Sequence, residues 1–428
     1  MRKRGTRLIL GLLLLGVLLC GGMLLWKRPG PIPSVARQYP ADNAYPKYIQ
    51  IAERLRDHLN SDPRLKSIYA RMPNRVSDAE YNYFLKQTQP LMDAYAQLVN
   101  DPCVAVYEYR YDYSLTRDFA GIRHIARVES YHLQALQRRR RWRELVERAH
   151  SMLKFSHQIR NEGLAMHHLV GRAVEAMAIQ PLRESFTQID EPAALQALVK
   201  LAQEYERFRV PFHQAMNHEK CLGYRLYQQC RESPLREIAD WRTLLGLQGD
   251  ADATRMQREA LLFRFAGADM LTEYERLMSW VLAEAQKPYW EPSTPKPKPR
   301  YYLNELLTPF HLSEDSPRSL EPKYLAQVRT LGVAAAARLH QQRTGEYPAT
   351  LEPLLLGAIA TDPFTGKPLV YRTNPTHGFQ VYSLGMNRKD DGGRAPYGAG
   401  WDIGDITPLQ FPAKSAARTA LTEPVWMR

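Results

Sequence analysis

The sequence predicts a mainly α chain in three parts: a membrane-anchor helix, a domain of stacked α-hairpins, and a small α+β head with a short antiparallel sheet. Three observations carry this. An apolar run from Leu8 to Trp26 is bounded on both sides by basic residues. A helical period of apolar residues dominates from about Tyr48 to Gln286. After a proline-rich stretch, one strong helix is followed by two short β-type runs and an Asp/Gly-rich loop.

The anchor comes first in the chain. Arg2, Lys3, Arg4 and Arg7 precede the run, only small residues interrupt it, and Lys27 and Arg28 end it. Its length at helical rise is roughly 28 Å, enough to cross the hydrocarbon core of a bilayer. More positive charge before the run than after it predicts a cytoplasmic N-terminus, a single pass and an exported remainder, which places the bulk of the chain on the periplasmic side of a bacterial inner membrane. A cleaved signal peptide and a lipoprotein are the competing readings. Against the first, Met23-Leu24-Leu25-Trp26 continues the apolar run past Cys20-Gly21-Gly22; against the second, Leu19 occupies the place of a small residue.

Residues 29–44 read as a polar, proline-containing spacer, and residues 45–290 as the helical-hairpin domain. Its stripes include Ile49, Ala52, Leu55 and Leu59; Ile122, Ile125, Val128 and Leu133; and Leu145, Val146, Ala149 and Leu153. Short polar interruptions predict antiparallel neighbours. Cys103 to Tyr113 breaks the pattern by alternation, and reads as an extended segment crossing the helices with its tyrosines on their surface. Residues 291–319 form a proline-rich linker of semi-rigid polyproline character. Residues 320–412 form the head and residues 413–428 a tail.

In the head, Tyr324 to Arg343 is a helix with a stripe of Val328, Leu331, Ala335 and Leu339, ended by Gly345. Pro368 to Arg372 and Phe379 to Leu384 are the predicted strands, and Thr373 to Gly378 their turn. The loop beyond them is rich in oxygen donors: Asn387, Asp390, Asp391, Asp402 and Asp405, with Gly385, Gly392 and Gly393 free to turn carbonyls inward. Such a set suits calcium, which takes six to eight oxygens of mixed kind. A solvated Asp/Gly turn without metal is the alternative.

Composition excludes several classes. The formal charge of +13 has no nucleic-acid recognition motif beside it, so no nucleic-acid partner is expected. With Cys20 in the anchor, the three remaining cysteines cannot all pair, and Cys221 and Cys230 are either bridged or free. No phosphate-cradling glycine loop, nucleophile elbow or HExxH is present. Glu129–His132 and Glu147–His150 have the ExxH spacing of carboxylate-bridged di-iron bundles, with Glu175 and Glu184 as further ligands, so a metal-dependent enzyme is one alternative. Arg138 to Arg141 with Trp142 is either an exposed turn or a contact for lipid phosphates.

The order Gly345-Glu346-Tyr347-Pro348, Asp362-Pro363, Tyr382-Ser383-Leu384-Gly385 and a Gly/Asp loop closed by Asp402-Ile403 resembles the globular head of the type II secretion major pseudopilin. The likeness spans about a fifth of the chain, roughly Leu325 to Ile406. It implies an extracytoplasmic module with a bound calcium ion, held by the carbonyl of Leu384, by Asn387, and by the charges of Asp390, Asp391 and Asp402. Asn387-Arg388 stands where Asp-Gly is usual, and the N-terminus lacks the leader and cleavage site of a true pseudopilin. The region from Asp101 to Leu182, with Pro102-Cys103, Ile125-Ala126-Arg127 and Leu169-Val170-Gly171, resembles an uncharacterised helical domain of anchored proteins from planctomycete-like bacteria, which implies no activity. Together these readings predict a membrane-anchored, non-enzymatic scaffold with a protein partner in the cell envelope. A component of a secretion or pilus-like assembly is the other alternative.

Overall fold

The computed structural model describes residues 37–71, 75–107, 113–232, 250–301, 304, 318, 321–374, 378–393 and 404–406. The anchor run lies outside them, and among the described residues no helix is long and apolar enough to cross a membrane. The described chain is mainly helical with one two-stranded antiparallel sheet. Its helices are α1 (Ala44–Ser61), α2 (Pro63–Ala70), α3 (Asp78–Leu98), α4 (Tyr113–Arg138), α5 (Trp142–Gln158), α6 (Ala165–Ser185), α7 (Pro192–Phe208), α8 (Phe212–Glu232), α9 (Asp250–Gln286) and α10 (Pro322–Thr344). Strands β1 (Val370–Asn374) and β2 (Gly378–Tyr382) follow.

Local chemistry explains the helix starts. Asn43 accepts from the amide of Tyr45 at the head of α1, and Asp62 accepts from Arg64 and Leu65 at the head of α2, where Pro63 fills a position with no amide to lose. Ser77 and Glu80 form a reciprocal capping box on α3.

The chain divides into two compact units. The first comprises residues 1–132, 151–177 and 208–322. Its core is rich in tyrosine: Tyr48 and Tyr95 each meet Phe155 edge-on, at 4.7 and 5.1 Å, and Phe84 lies 4.5 Å from Tyr131. Buried hydroxyls need acceptors, and they find the orphan carbonyls of helix ends. Tyr131 donates to the carbonyls of Ile68 and Arg71 at the end of α2. On α9, Tyr274 donates to the carbonyls of Glu219 and Lys220, and a side chain at Gly223 would sit 2.0 Å from that hydroxyl. Residues 102–107 carry no strand assignment and are held on the helices: Asn43 binds the amide and carbonyl of Val104, and Asn161 the carbonyl of Cys103.

Cys221 is free. It lies nine residues from Cys230 on the continuous helix α8, so the two are about 13 Å apart along the axis, beyond disulfide reach.

The proline-rich stretch is not a spacer along its whole length. Two buried carboxylates of α9 hold it. Glu284 accepts from the hydroxyl of Ser293 and from both the amide and hydroxyl of Thr294, while Glu273 accepts from the amides of Arg300 and Tyr301 and from Asn304. Trp280 donates to Thr294, and Arg318 binds the carbonyls of Pro288 and Glu291.

The second unit comprises residues 133–150, 178–207 and 323–428. It therefore draws on both the expected helical domain and the expected head. Helix α10 is buried at every position from Leu325 to Ala337, not on one stripe, because its run of small residues lets neighbours approach from all sides. A side chain at Gly332 would come within 2.4 Å of Ala202 on α7. Arg329 pairs with Glu206 at 2.7 Å and donates to the carbonyl of Thr361; Arg338 donates to that of Phe186. Trp142 is buried rather than presented to a membrane surface, and Arg141 and Arg143 pair with Glu144 and Glu147.

Candidate metal centre

The hairpin β1–β2 pairs Val370 with Tyr382 and Asn374 with Gly378. It sits two residues later than predicted at its first strand, since Thr361 and Pro368 form a separate bridge that uses up the start of the expected strand. Between those bridge residues the chain turns tightly around Asp362, which is buried. The amide of Asp362 donates to the carbonyl of Lys367, and its Oδ1 accepts from the amide of Phe364, an Asx-type turn.

That same carboxylate also organises the loop after β2. Oδ1 accepts from the hydroxyl of Ser383 at 2.8 Å, and Oδ2 from the amide of Leu384 at 2.9 Å. Ser383 then exchanges two backbone hydrogen bonds with Ile406, at 3.0 and 2.9 Å. Gly385, at φ +64°, turns the chain beneath this bridge; a side chain there would meet the carbonyl of Gly404 at 2.5 Å. Asp362 therefore pins one end of the loop, and the Ser383–Ile406 bridge closes the other.

Among the expected ligands, Leu384, Asn387, Asp390 and Asp391 are described, and Asp402 lies outside the described residues. Asp390 is well satisfied already. Its Oδ1 accepts from Tyr382 and from the amide of Gly392, and its Oδ2 pairs with Arg372 at 2.5 Å. The Gly392 amide, then Tyr382, with Arg372 adding its charge, hold this carboxyl below its usual range. Asp391 accepts from the side-chain amide of Asn387 at 2.8 Å, and Asn387 in turn accepts from the amide of Lys389.

Asp405 is the outstanding group. Its side chain is fully buried; Oδ2 accepts from the amide of Gly393 at 2.7 Å, and Oδ1 has no hydrogen-bond partner among the described residues. Burial pushes its carboxyl up to about 6, helped by the neighbouring charges of Asp390 and Asp391 and opposed by the backbone amides of Gly393 and, more weakly, Asp391. A buried carboxylate oxygen without a partner carries a desolvation cost of a few kcal/mol unless a proton or a cation meets it. The residues thus fit a hard cation at Asp405 and Asp391 better than at Asp390, which a guanidinium already serves. Among the described residues, no group of three or more His, Cys, Asp or Glu side chains is arranged to hold a metal.

The sequence places Asp-Ile twice in succession, as Asp402-Ile403 and Asp405-Ile406. Reading the order of motifs selects the first pair, which lies outside the described residues; the second pair carries the backbone bridge to Ser383. The role of Asp362 as the loop's anchor also escaped sequence reading, although the Asp-Pro-Phe-Thr-Gly turn signal marked its position.

The two ExxH motifs fall in different compact units. His132 meets the hydroxyl of Thr88, and His150 faces Glu204 at 3.3 Å. Glu147 pairs with Arg143, and Glu184 accepts from Gln180. Glu175 belongs to a buried cluster of the first unit, 2.6 Å from Arg160 and 3.4 Å from His157. Burial alone would raise the Glu175 carboxyl, but the Arg160 guanidinium and then His157 overcome it and hold it ionised. Burial, and next Arg160, push His157 down to about 4, so its imidazole is neutral near pH 7. This is a compensated structural ion pair.

No family model matches the chain, and neither a curated protein nor a solved structure matches it.

Proposed function

We propose that this is a membrane-anchored, extracytoplasmic scaffold without enzymatic activity, whose C-terminal module is stabilised by calcium. The observation that supports it most is the buried, unpartnered Oδ1 of Asp405, next to the charges of Asp390 and Asp391, in a loop pinned at both ends. In this reading the cation takes the place of the missing hydrogen-bond donor. Asp405, Asp391 and Asp402 supply charge, Leu384 and the loop glycines supply carbonyls, and water completes the shell. Asn387 and Asp390 lie behind them: Asn387 orients Asp391, and Asp390 ties the loop to β1 through Arg372. The ion's role is structural, bringing the 386–406 loop to a single conformation on the hairpin.

The anchor reading rests on the apolar run and its flanking charges, which put the module outside the cytosol, where calcium is plentiful enough for a weak, exposed-loop site. A scaffold needs accessible surface, not a reaction centre. The compensated state of Glu175, His157 and Arg160 supports that choice over a metal-dependent enzyme.

Calorimetric titration of the full chain in detergent with calcium tests the proposal. One ion should bind per chain, Asp405→Asn should weaken it by a factor of about 10 or more, and Asp390→Asn should weaken it less. Absence of saturable calcium binding by the wild-type chain ends the calcium part of the proposal.

A further inference from the structure

The strap on α9 has a geometry that the scaffold reading does not by itself require. Pro295, Pro297 and Pro299 each fix their own φ near −65°, and Thr294, Lys296 and Lys298 each precede a proline, which excludes the helical region for them. Residues 294 to 299 are thus biased toward extended polyproline geometry, and the contacts with α9 fix the strap there. The chain over 292–299 accordingly has neither helical nor strand pairing.

The two carboxylates that hold it match that geometry in length. Glu284 and Glu273 are eleven residues apart on α9, about 16 Å at helical rise. Thr294 and Arg300, which they bind, are six residues apart on the strap, about 19 Å at polyproline rise. The strap therefore runs antiparallel to the helix as a polyproline rod fastened at both ends.

A polyproline helix has three residues per turn, so three edges result. One edge, Thr294, Pro297 and Arg300, carries the fastening: Thr294 and Arg300 make the bonds to the carboxylates while both remain exposed, and Pro297 between them is half-buried. A second, Ser293, Lys296 and Pro299, lies to the side, with Ser293 reaching back to Glu284 and Pro299 half-buried. The third edge, Pro292, Pro295 and Lys298, points away; all three are exposed.

We infer that this outward edge is a docking ligand for a partner protein whose groove presents stacked aromatic rings with a carboxylate at one end. Aromatic grooves read polyproline through prolines spaced by one turn, and Pro292 and Pro295 supply that spacing. Lys298, one turn further along the same edge, selects an acidic groove end, with Lys296 adding to the positive field. Fastening by Glu284 and Glu273 removes the ordering entropy that a free proline-rich peptide loses on binding. The inference names the kind of partner a scaffold would engage, and it stands apart from the calcium loop, whose test does not touch it.

The experiment measures binding of the full chain, in detergent, to an isolated SH3-type domain with an aromatic groove and acidic rim. Saturable micromolar binding is expected, weakened about ten-fold by Pro292→Ala/Pro295→Ala and by Lys298→Glu, the latter effect fading with salt. These side chains are exposed, so the variants should melt as the wild type does. A free peptide of residues 290–300 should bind about ten-fold more weakly than the full chain; equal affinity would overturn the role of the two glutamates. No binding, or binding indifferent to Pro292 and Pro295, overturns the proposal. So does a finding in nanodiscs that anionic lipid, and not the domain, shields Lys296 and Lys298 from amine acylation, which would make the strap a lipid contact.

Discussion

Glu219 offers the sharpest test of how burial sets stability in the first unit. This carboxyl lies on α8, is buried, and has one neutral partner, the amide of Ala165, which donates to Oε1 at 2.8 Å. Phe212, Ala215 and Met216 of the same helix pack with Ala165 and Val281 into an apolar cluster alongside. Burial raises the carboxyl to about 7. Set against an unfolded value near 4.5, that difference corresponds to about 3 kcal/mol of destabilisation once the group is fully ionised. The sign follows from proton uptake. Below pH 4.5 the group is protonated in both states and costs nothing. Between pH 4.5 and 7 the unfolded chain releases its proton first, so stability falls as pH rises, and above pH 7 the loss is constant. Glu219→Gln keeps the acceptor oxygen and removes the charge. It should melt like the wild type at pH 4.5 and roughly 6 °C higher at pH 8, read by circular dichroism across the range. A difference independent of pH, or a variant less stable at pH 8, would refute the reasoning by showing that the charge is compensated.

Two further outcomes follow from packing and pairing. Gly332→Ala should destabilise the second unit by about 1–3 kcal/mol, because the added carbon meets Ala202 at 2.4 Å and neither helix carries a flexible group that can yield; denaturant unfolding measures it. Glu175→Gln should cost about 3–5 kcal/mol by the same measurement, since it leaves the Arg160 guanidinium buried without its counter-charge.

Much of the helical architecture was legible from the sequence because it depends on local terms. Apolar periodicity gave α1, α4 and α5, and α10 runs from Pro322 to Thr344 where Tyr324 to Arg343 was expected, with Gly345 at φ +89° ending it. What was not legible depends on residues distant in sequence. The proline run reads as a spacer until Glu273 and Glu284 are seen to bind it, and nothing in the α9 sequence distinguishes those glutamates from solvent-facing ones. The burial of α10 on all sides comes from neighbours such as Ala202, which a stripe analysis of α10 alone does not contain. Arg138 to Arg141 with Trp142 read as either an exposed turn or a lipid contact; the fold turns the indole inward and pairs Arg141 with Glu144, as an inter-helix turn does. In the loop the donors were evident, but two Asp-Ile pairs three residues apart satisfy the same pattern, and the bridge of Ser383 to Ile406, which involves the second pair, depends on a contact distant in sequence.

Thermal melting of the full chain with saturating calcium and with a chelator tests the central claim most directly. If the cation satisfies Oδ1 of Asp405, calcium at 100 times its dissociation constant should add about 2.7 kcal/mol to the second unit, and Asp405→Asn should abolish that gain. Melting curves that coincide with and without calcium, or a gain that survives in Asp405→Asn, would contradict it.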